Sequence, residues 1–394
     1  MRDYYAESLA LHQKLRGKIS ISAKINLRTT DDLALAYSPG VAEPCRAIAE
    51  NPSSVWDLTI KNNTVAVITD GSAVLGLGNI GTEAALPVME GKCLLLRKFA
   101  DIDAFPICLD TQDTDEIVET IRRIAPVFGG INLEDIAAPR CFDVEERLQD
   151  LGIPVFHDDQ HGTAIVVLAA LYNACKLYKK DIHEMKIVIN GAGAAGIAIA
   201  RLLTDSEFDP ENRQPVKDVL VCDSQGIIHH DRADLSPRKK VLLKYVNPEN
   251  KTGTLKDAIK DADVFIGVSL ADLLTVDDIK TMADNPVILA LANPDPEIMP
   301  EDAYKGGAGV VGTGRSDFPN QVNNVLAFPG IFRGALNVRA KRITPRMKLA
   351  AAYAIARCVH PDDLSKDLII PNVLDKSVGW KVAEAVMKAY VPGE

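Results

Sequence analysis

The stretch Met185–Leu203, MKIVINGAGAAGIAIARLL, decides the reading of this chain. A short apolar strand runs into a glycine turn, and an alanine-rich helix leaves that turn directly. Gly191, Gly193 and Gly196 form G-x-G-x-x-G. The first glycine permits the tight turn, the second lets a pyrophosphate approach the backbone, and the third lets helix pack on strand. Ala194 and Ala195 open the helix, where free N–H groups and a partial positive charge face an anion. A strand at 219–222 follows and ends on Asp223, later than the usual spacing of about 20 residues. The polar insert 205–217 accounts for the delay. An acid there suits the ribose hydroxyls of NAD and would repel the 2′-phosphate of NADP. The spacing alone also fits a merely structural strand–turn–helix. The strand before, the helix after and the acid beyond favour a dinucleotide site.

Composition bounds the rest of the chain. The chain has 394 residues, 47% of them hydrophobic and 25% charged, as expected for a globular protein of roughly two or three domains. Net charge is −10 with no basic run, which argues against nucleic-acid or anionic-membrane partners. No apolar stretch nears the roughly 20 residues of a membrane span, and the mixed-charge N-terminus does not read as a signal peptide. Seven scattered cysteines without a C-x-x-C pair read as reduced thiols of a cytoplasmic protein.

Ahead of the nucleotide segment, apolar spacing predicts a helix over 3–15, a short strand over 20–25 and a short helix from Thr30 to Ala36. Pro39-Gly40 then fixes Tyr37 at an element end; by residue type alone it reads as a half-buried core tyrosine. A strand at 64–69 precedes Gly76-x-Gly78-x-x-Gly81. That repeat is read as a glycine loop near a ligand and not as a second dinucleotide site, because Pro87 would spoil a long helix behind it. Lys92 opens an apolar run. It reads equally as a solvated charge or as a buried lysine whose pKa falls until it can serve as a base. Glu134 and Asp135 end one apolar strand; Asp158 and Asp159 follow another at 152–156. Acids at strand ends of an α/β protein can point into the ligand crevice. The pair Glu145-Glu146 reads as surface. His157 and His161 have the spacing of a zinc helix, but Gly162 and the preceding strand disfavour one, and the next helix is expected over 164–179. Later strands are expected near 264–268, 287–291 and 310–312, with closing helices near 346–360 and 377–390.

In order, Tyr37-Ser38-Pro39-Gly40-Val41-Ala42, Thr69-Asp70-Gly71, Leu75–Gly81, Glu90-Gly91-Lys92, Leu133-Glu134-Asp135, Phe156–Ala164, Gly191–Gly196, Asn293-Pro294 and Asn323–Gly330 resemble malic enzyme over nearly the whole chain. The resemblance implies an α/β fold: an N-terminal α/β malic-type domain (1–160) for substrate and metal, and a Rossmann-like doubly wound parallel-sheet domain (161–394) for NAD(P). It also implies oxidative decarboxylation of (S)-malate to pyruvate and CO2. Glu134, Asp135 and Asp159 would hold Mg2+ or Mn2+, hard cations suited to oxygen ligands. Lys92 would be the general base, Asp158 its partner, and Tyr37 the acid that protonates the enolate. Asn293, Asn323 and Asn324 would orient substrate and nicotinamide, with Thr163 and Asn293 beside the cofactor. Gln225 stands where a Lys or Arg is common, which points to NAD over NADP. A homodimer is expected. Two other readings stay open: a nicotinamide dehydrogenase without decarboxylation, active in EDTA, and a nucleotide-sensing module without turnover.

Overall fold

The computed structural model describes residues 3–204 and 215–393. The bulk of the insert expected over 205–217 therefore lies outside the described residues. Two parallel sheets carry the chain. The first has the order β2-β1-β3-β4, with β1 Thr64–Thr69, β2 Asp103–Cys108, β3 Gly130–Leu133 and β4 Val155–His157. All of its pairings are parallel. The chain leaves β1 for one neighbour, β2, then returns across it to β3. The crevice at the carboxyl ends of β1 and β3 is therefore a topological switch point, where open α/β sheets bind ligands. Strands β1 (TVAVIT) and β3 (GINL) are buried along their whole length, as their mostly apolar runs suit a sheet covered on both faces.

The second sheet has the order β10-β9-β8-β5-β6-β7. Its strands are β5 Lys186–Asn190, β6 Asp218–Asp223, β7 Gly226–Ile227, β8 Val264–Gly267, β9 Val287–Ala290 and β10 Val310–Thr313. Only the β6–β7 pair is antiparallel. Its switch point lies between β5 and β8, beside the glycine turn. A Cβ on Gly196 would stand 1.7 Å from the Gly191 carbonyl oxygen, so the third glycine is required for helix-to-turn packing. A Cβ on Gly193 would meet nothing within 4 Å, so this glycine leaves open space above the turn.

Between the sheets runs the helix Asp158–Tyr178, buried on nearly every side along its middle. It is apolar all round from Ala164 to Leu171, the composition of a central helix. It starts six residues earlier than the sequence predicts. Gly162 does not end it, because a Cβ there would lie 1.9 Å from the Asp158 carboxylate; the glycine makes room for that acid. A second correction concerns Pro87. It sits inside a 19-residue helix, Thr82–Ala100. Lying at the sixth position, it removes only one early intrahelical donor, and the helix continues past it. The closing helices Phe328–Asn337 and Lys376–Ala389 reach back to the first unit, where Gly379 abuts the Phe99 carbonyl and Arg333 donates to Asn63 at 2.6 Å.

The N-terminal segment behaves differently. The helices Tyr4–Leu15, Thr30–Ala36 and Ala42–Glu50 bury none of their residues. Residues 20–25 form no strand. Contact with the body comes at Gly17 and Lys18, where the Lys18 amide donates to Glu90 and its ammonium to the Pro87 carbonyl. No helix among the described residues is long and apolar enough to cross a membrane.

Candidate active site

At the switch point of the first sheet, three segments deliver five charged side chains. Glu134 and Asp135 leave the end of β3, Asp158 and Asp159 form the first turn of the helix after β4, and Lys92 reaches in from the Thr82–Ala100 helix. Lys92 Nζ lies 2.6 Å from Asp158 Oδ2 and 2.8 Å from Glu134 Oε1. It also stands over the Phe328 ring, 4.8 Å from its centre. The backbone N–H of Asp135 donates to Asp159 Oδ2 at 2.8 Å. Ligand oxygens of Glu134, Asp135 and Asp159 all fall within 4.8 Å of one another. These are the three acids that the sequence resemblance assigns to a metal.

Four carboxylates against one ammonium leave the cluster with excess negative charge in a buried setting. Burial pushes Glu134, Asp135 and Asp159 above the usual carboxylate range, and their mutual repulsion adds to it while Lys92 opposes it. Asp135 Oδ2 is buried with no hydrogen-bond partner. An all-oxygen set with an orphaned carboxylate oxygen is the donor chemistry that hard divalent cations take. The residues present therefore fit Mg2+ or Mn2+.

The sequence expectation that burial frees Lys92 of its proton is corrected. Burial does act to lower its pKa, but Asp158, Glu134 and Asp159 outweigh it and hold the group as an ammonium. Asp158 is pushed up to about 7, chiefly by burial, with Lys92 pulling down and Glu134 pushing up.

Asn324 stands at the same place: its Cβ is 3.0 Å from where a Cβ on Gly162 would be. Asn323 is occupied with capping, its Oδ1 accepting from the Val325 amide at 3.0 Å. Asn293 is exposed at the end of β9, and its carbonyl oxygen would be 2.3 Å from a Cβ on Gly76. The glycine loop of the first unit thus touches the asparagine loop of the second. Thr163 is half-buried on the helix behind Asp159. Tyr37 is not brought in by its own chain's packing. It is 68% exposed, neither a core residue nor a partner of Lys92.

At the dinucleotide turn, Asp223 ends β6 as expected, but it is not alone. Arg232 holds it at 2.7 and 3.0 Å, Lys239 at 2.6 Å, and the Gln225 amide at 2.9 Å. Burial would raise its pKa, yet these donors draw it down to about 2. Gln225 stands where a Lys or Arg is common, but Arg232 and Lys239 bring cations to this acid from further along the chain.

Sequence reasoning also misplaced Glu145. It is buried, accepting from His161 at 2.9 Å and from the His157 backbone N–H at 3.3 Å. The signal was present: Cys141, Val144 and Leu148 are buried on the same helical face, and Glu145 lies between them. His157 Nδ1 lies 3.8 Å from Asp159 Oδ2, but neither His157 nor His161 is in the converging set of Glu134, Asp135 and Asp159, so the zinc reading finds no support even though a helix does run through the motif. Burial would raise the Glu145 pKa, but His161 and Lys348 pull it down to about 2. Its pairing therefore stabilises the fold above the ordinary carboxylate pKa of about 4.3 and is lost as pH falls towards 2. Glu145→Ala should cost about 3 kcal/mol by stranding His161 and Lys348. A denaturant midpoint unchanged from wild type would contradict this.

Comparison with known proteins agrees with the geometry. Residues 16–149 match the malic enzyme N-terminal domain, and residues 160–391 match the malic enzyme NAD-binding domain. The chain belongs to the malic enzyme family. It is 58% identical over 385 residues to the bifunctional malic/malolactic enzyme of Bacillus subtilis, covering 97% of this chain and 92% of that one. It is 53% identical to an NAD-dependent malic enzyme of Geobacillus stearothermophilus, over 95% of this chain and 76% of the relative. An NADP-dependent malic enzyme of Rhizobium meliloti is 48% identical, over 97% of this chain and 51% of its own length. The solved NAD-dependent malic enzyme of Thermotoga maritima superposes with a TM-score of 0.91 at 47% identity, covering 98% of this chain and 99% of that one. The family so shown accounts for both sheets and for their order.

Proposed function

We propose that this chain oxidises (S)-malate with a nicotinamide dinucleotide and decarboxylates the product to pyruvate and CO2. The observation that carries the reading is the convergence of Glu134, Asp135 and Asp159 with Lys92 and Asp158 at one switch point. When bound, the dinucleotide would accept the C2 hydride and a divalent cation held by Glu134, Asp135 and Asp159 would stabilise enolate charge as CO2 departs. The chain's own groups manage the protons. With Glu134 and Asp159 engaged by a bound cation, their hold on the Lys92 proton would relax, and Lys92, paired with and tuned by Asp158 at 2.6 Å, would serve as the base that removes the C2 hydroxyl proton. Asn324 and Asn293 orient substrate and nicotinamide, with Asn323 fixing the turn that carries Asn324. Asp159→Ala should weaken Mn2+ binding at least tenfold. Titration of Mn2+ followed by electron paramagnetic resonance checks this, and wild-type affinity would remove Asp159 from the ligand set.

NAD is the preferred dinucleotide in this reading. The Asp223 carboxylate stays ionised and occupies both Arg232 and Lys239, so a 2′-phosphate meets a negative charge whose cations are already engaged. Asp223→Ser should free those cations and move the ratio of kcat/KM for NAD over NADP at least tenfold towards NADP. A ratio that stays put would contradict the assignment.

The working form is a homodimer. Tyr4, Tyr5, Leu9, Ile21, Leu35 and Tyr37 are each more than 60% exposed on the N-terminal segment. Together with neighbouring leucines and isoleucines they offer on the order of 1,000 Å2 of apolar side chain, more than a stable monomer leaves uncovered and enough for one side of a standard interface. Tyr37 belongs to this surface. A second copy that covers the segment carries Tyr37 to the partner's Lys92, where its phenol donates the proton to C3 of the enolate and Lys92 restores it. The free cysteines suit a cytoplasmic setting.

A further inference from the structure

Behind the acid cluster, a cavity of about 220 Å3 opens between the helices Asp158–Tyr178, Ala194–Thr204, Pro237–Leu242 and Pro345–Ala356. It is distinct from both sites described above: neither the five clustered charges nor Gly191, Gly193 and Asp223 line it. Its roof is Arg238, which reaches across to Asp143 at 2.5 Å and Glu146 at 2.9 Å on the front unit.

The lining is one-sided in its chemistry. Gln160 is 4% exposed, and its carboxamide nitrogen is enclosed with no hydrogen-bond partner. Lys348, half-buried, makes no direct hydrogen bond or ion pair among the described residues, although the Glu145 charge acts on it; its ammonium stands 6.0 Å from the Phe156 ring centre. Burial lowers its pKa to about 8, with Glu145 opposing and Arg201 adding to the fall. Arg201 and Arg238 also line the space; Arg238 is paired with Asp143 and Glu146 outside it, and Glu145 faces Lys348 from behind, so the lining itself holds no carboxylate but its cations are partly offset. The rest of the wall is apolar, with Ile165, Ile197 and Leu242 facing the space. An enclosed donor such as the Gln160 amide without an acceptor is costly, and native proteins rarely keep one unless something supplies the acceptor. A water could serve one donor, but the apolar walls would remain unfilled.

We propose that this cavity binds a small organic anion. A carboxylate or phosphate head sits between the Lys348 ammonium and the unpartnered Gln160 amide, and a compact apolar body lies against Ile165, Ile197 and Leu242. The volume is sufficient, since an apolar cavity of about 150 Å3 holds a benzene ring. Malate, charged at both ends and without an apolar body, does not match it. The inference stands apart from the proposed activity.

The test is calorimetric titration of the full chain, with the dinucleotide site filled by reduced cofactor and Mg2+ present. Benzoate and phenyl phosphate share a ring and differ in the head, and inorganic phosphate has the head alone. At least one ring anion should bind at one site per chain with a Kd below about 1 mM. Lys348→Met should weaken it at least tenfold while turnover without the anion stays within about twofold of wild type, and Ala198→Phe, which fills the cavity, should abolish binding. The tighter ring anion identifies the head. Absence of binding by either ring anion at 10-fold that concentration would overturn the proposal. So would binding untouched by both substitutions, or inorganic phosphate binding as tightly as phenyl phosphate.

Discussion

Lys92→Ala is expected to lower kcat for malate oxidation by about 10³-fold, the range typical of a lost general base. The physical ground is its position. Its ammonium sits 2.6 Å from Asp158 and 2.8 Å from Glu134, with a side chain only 13% exposed. No other lysine or arginine pairs with these acids among the described residues. The substitution also removes a positive charge from beside the three metal-ligating acids, so Mn2+ affinity should hold or tighten. That outcome separates Lys92 from Asp159, whose loss should weaken Mn2+. It also separates lost chemistry from a collapsed site. Added methylamine should restore part of the rate by supplying the missing base. A variant that turns malate over at more than a tenth of the wild-type rate, measured by stopped-time assay of the reduced cofactor, would show that the base lies elsewhere.

Mixing two inactive variants should restore activity. Tyr37→Phe and Lys92→Ala homodimers each lack one proton-handling group at both sites. If Tyr37 serves the partner's Lys92, a mixed dimer has one complete site and one doubly deficient site. With random exchange, half of the dimers are mixed, so about a quarter of wild-type turnover should return. If Tyr37 instead served its own chain, every site would lack a group and the mixture would stay dead. Unfolding and refolding the variants together, followed by a malate assay, distinguishes the two. Tyr37→Phe alone should still release CO2 from added oxaloacetate while failing to convert enolpyruvate to pyruvate.

Much of this architecture was legible before any coordinates. The strand Thr64–Thr69 and the turn from Asn190 to Ala194 follow directly from apolar runs and glycine spacing. The metal-ligand set came from family resemblance, because adjacent acids at two strand ends have no local signature that tells a ligand from a solvated face. What escaped the sequence was long-range. From its apolar sequence neighbours Lys92 reads equally as a solvated charge or a buried base, whereas its neighbours in space are carboxylates from two other segments. At Asp223 the sequence offers Gln225 where a Lys or Arg is common, while the cations that reach the acid, Arg232 and Lys239, follow it by 9 and 16 residues. Glu145 was read as surface from its acidic neighbour Glu146, although the buried stripe through Cys141, Val144 and Leu148 should have outweighed that. The helix start at Asp158 was missed because Gly162 was weighed as a helix breaker, when its missing side chain is what accommodates the Asp158 carboxylate.

The most direct test of the whole account is a single assay of the purified chain with (S)-malate and NAD, run with Mn2+ and again with EDTA, following reduced cofactor and CO2 together. The account predicts one CO2 and one pyruvate for each reduced dinucleotide in Mn2+, and loss of both products in EDTA. Reduction of NAD at an undiminished rate in EDTA, without release of CO2, would contradict it.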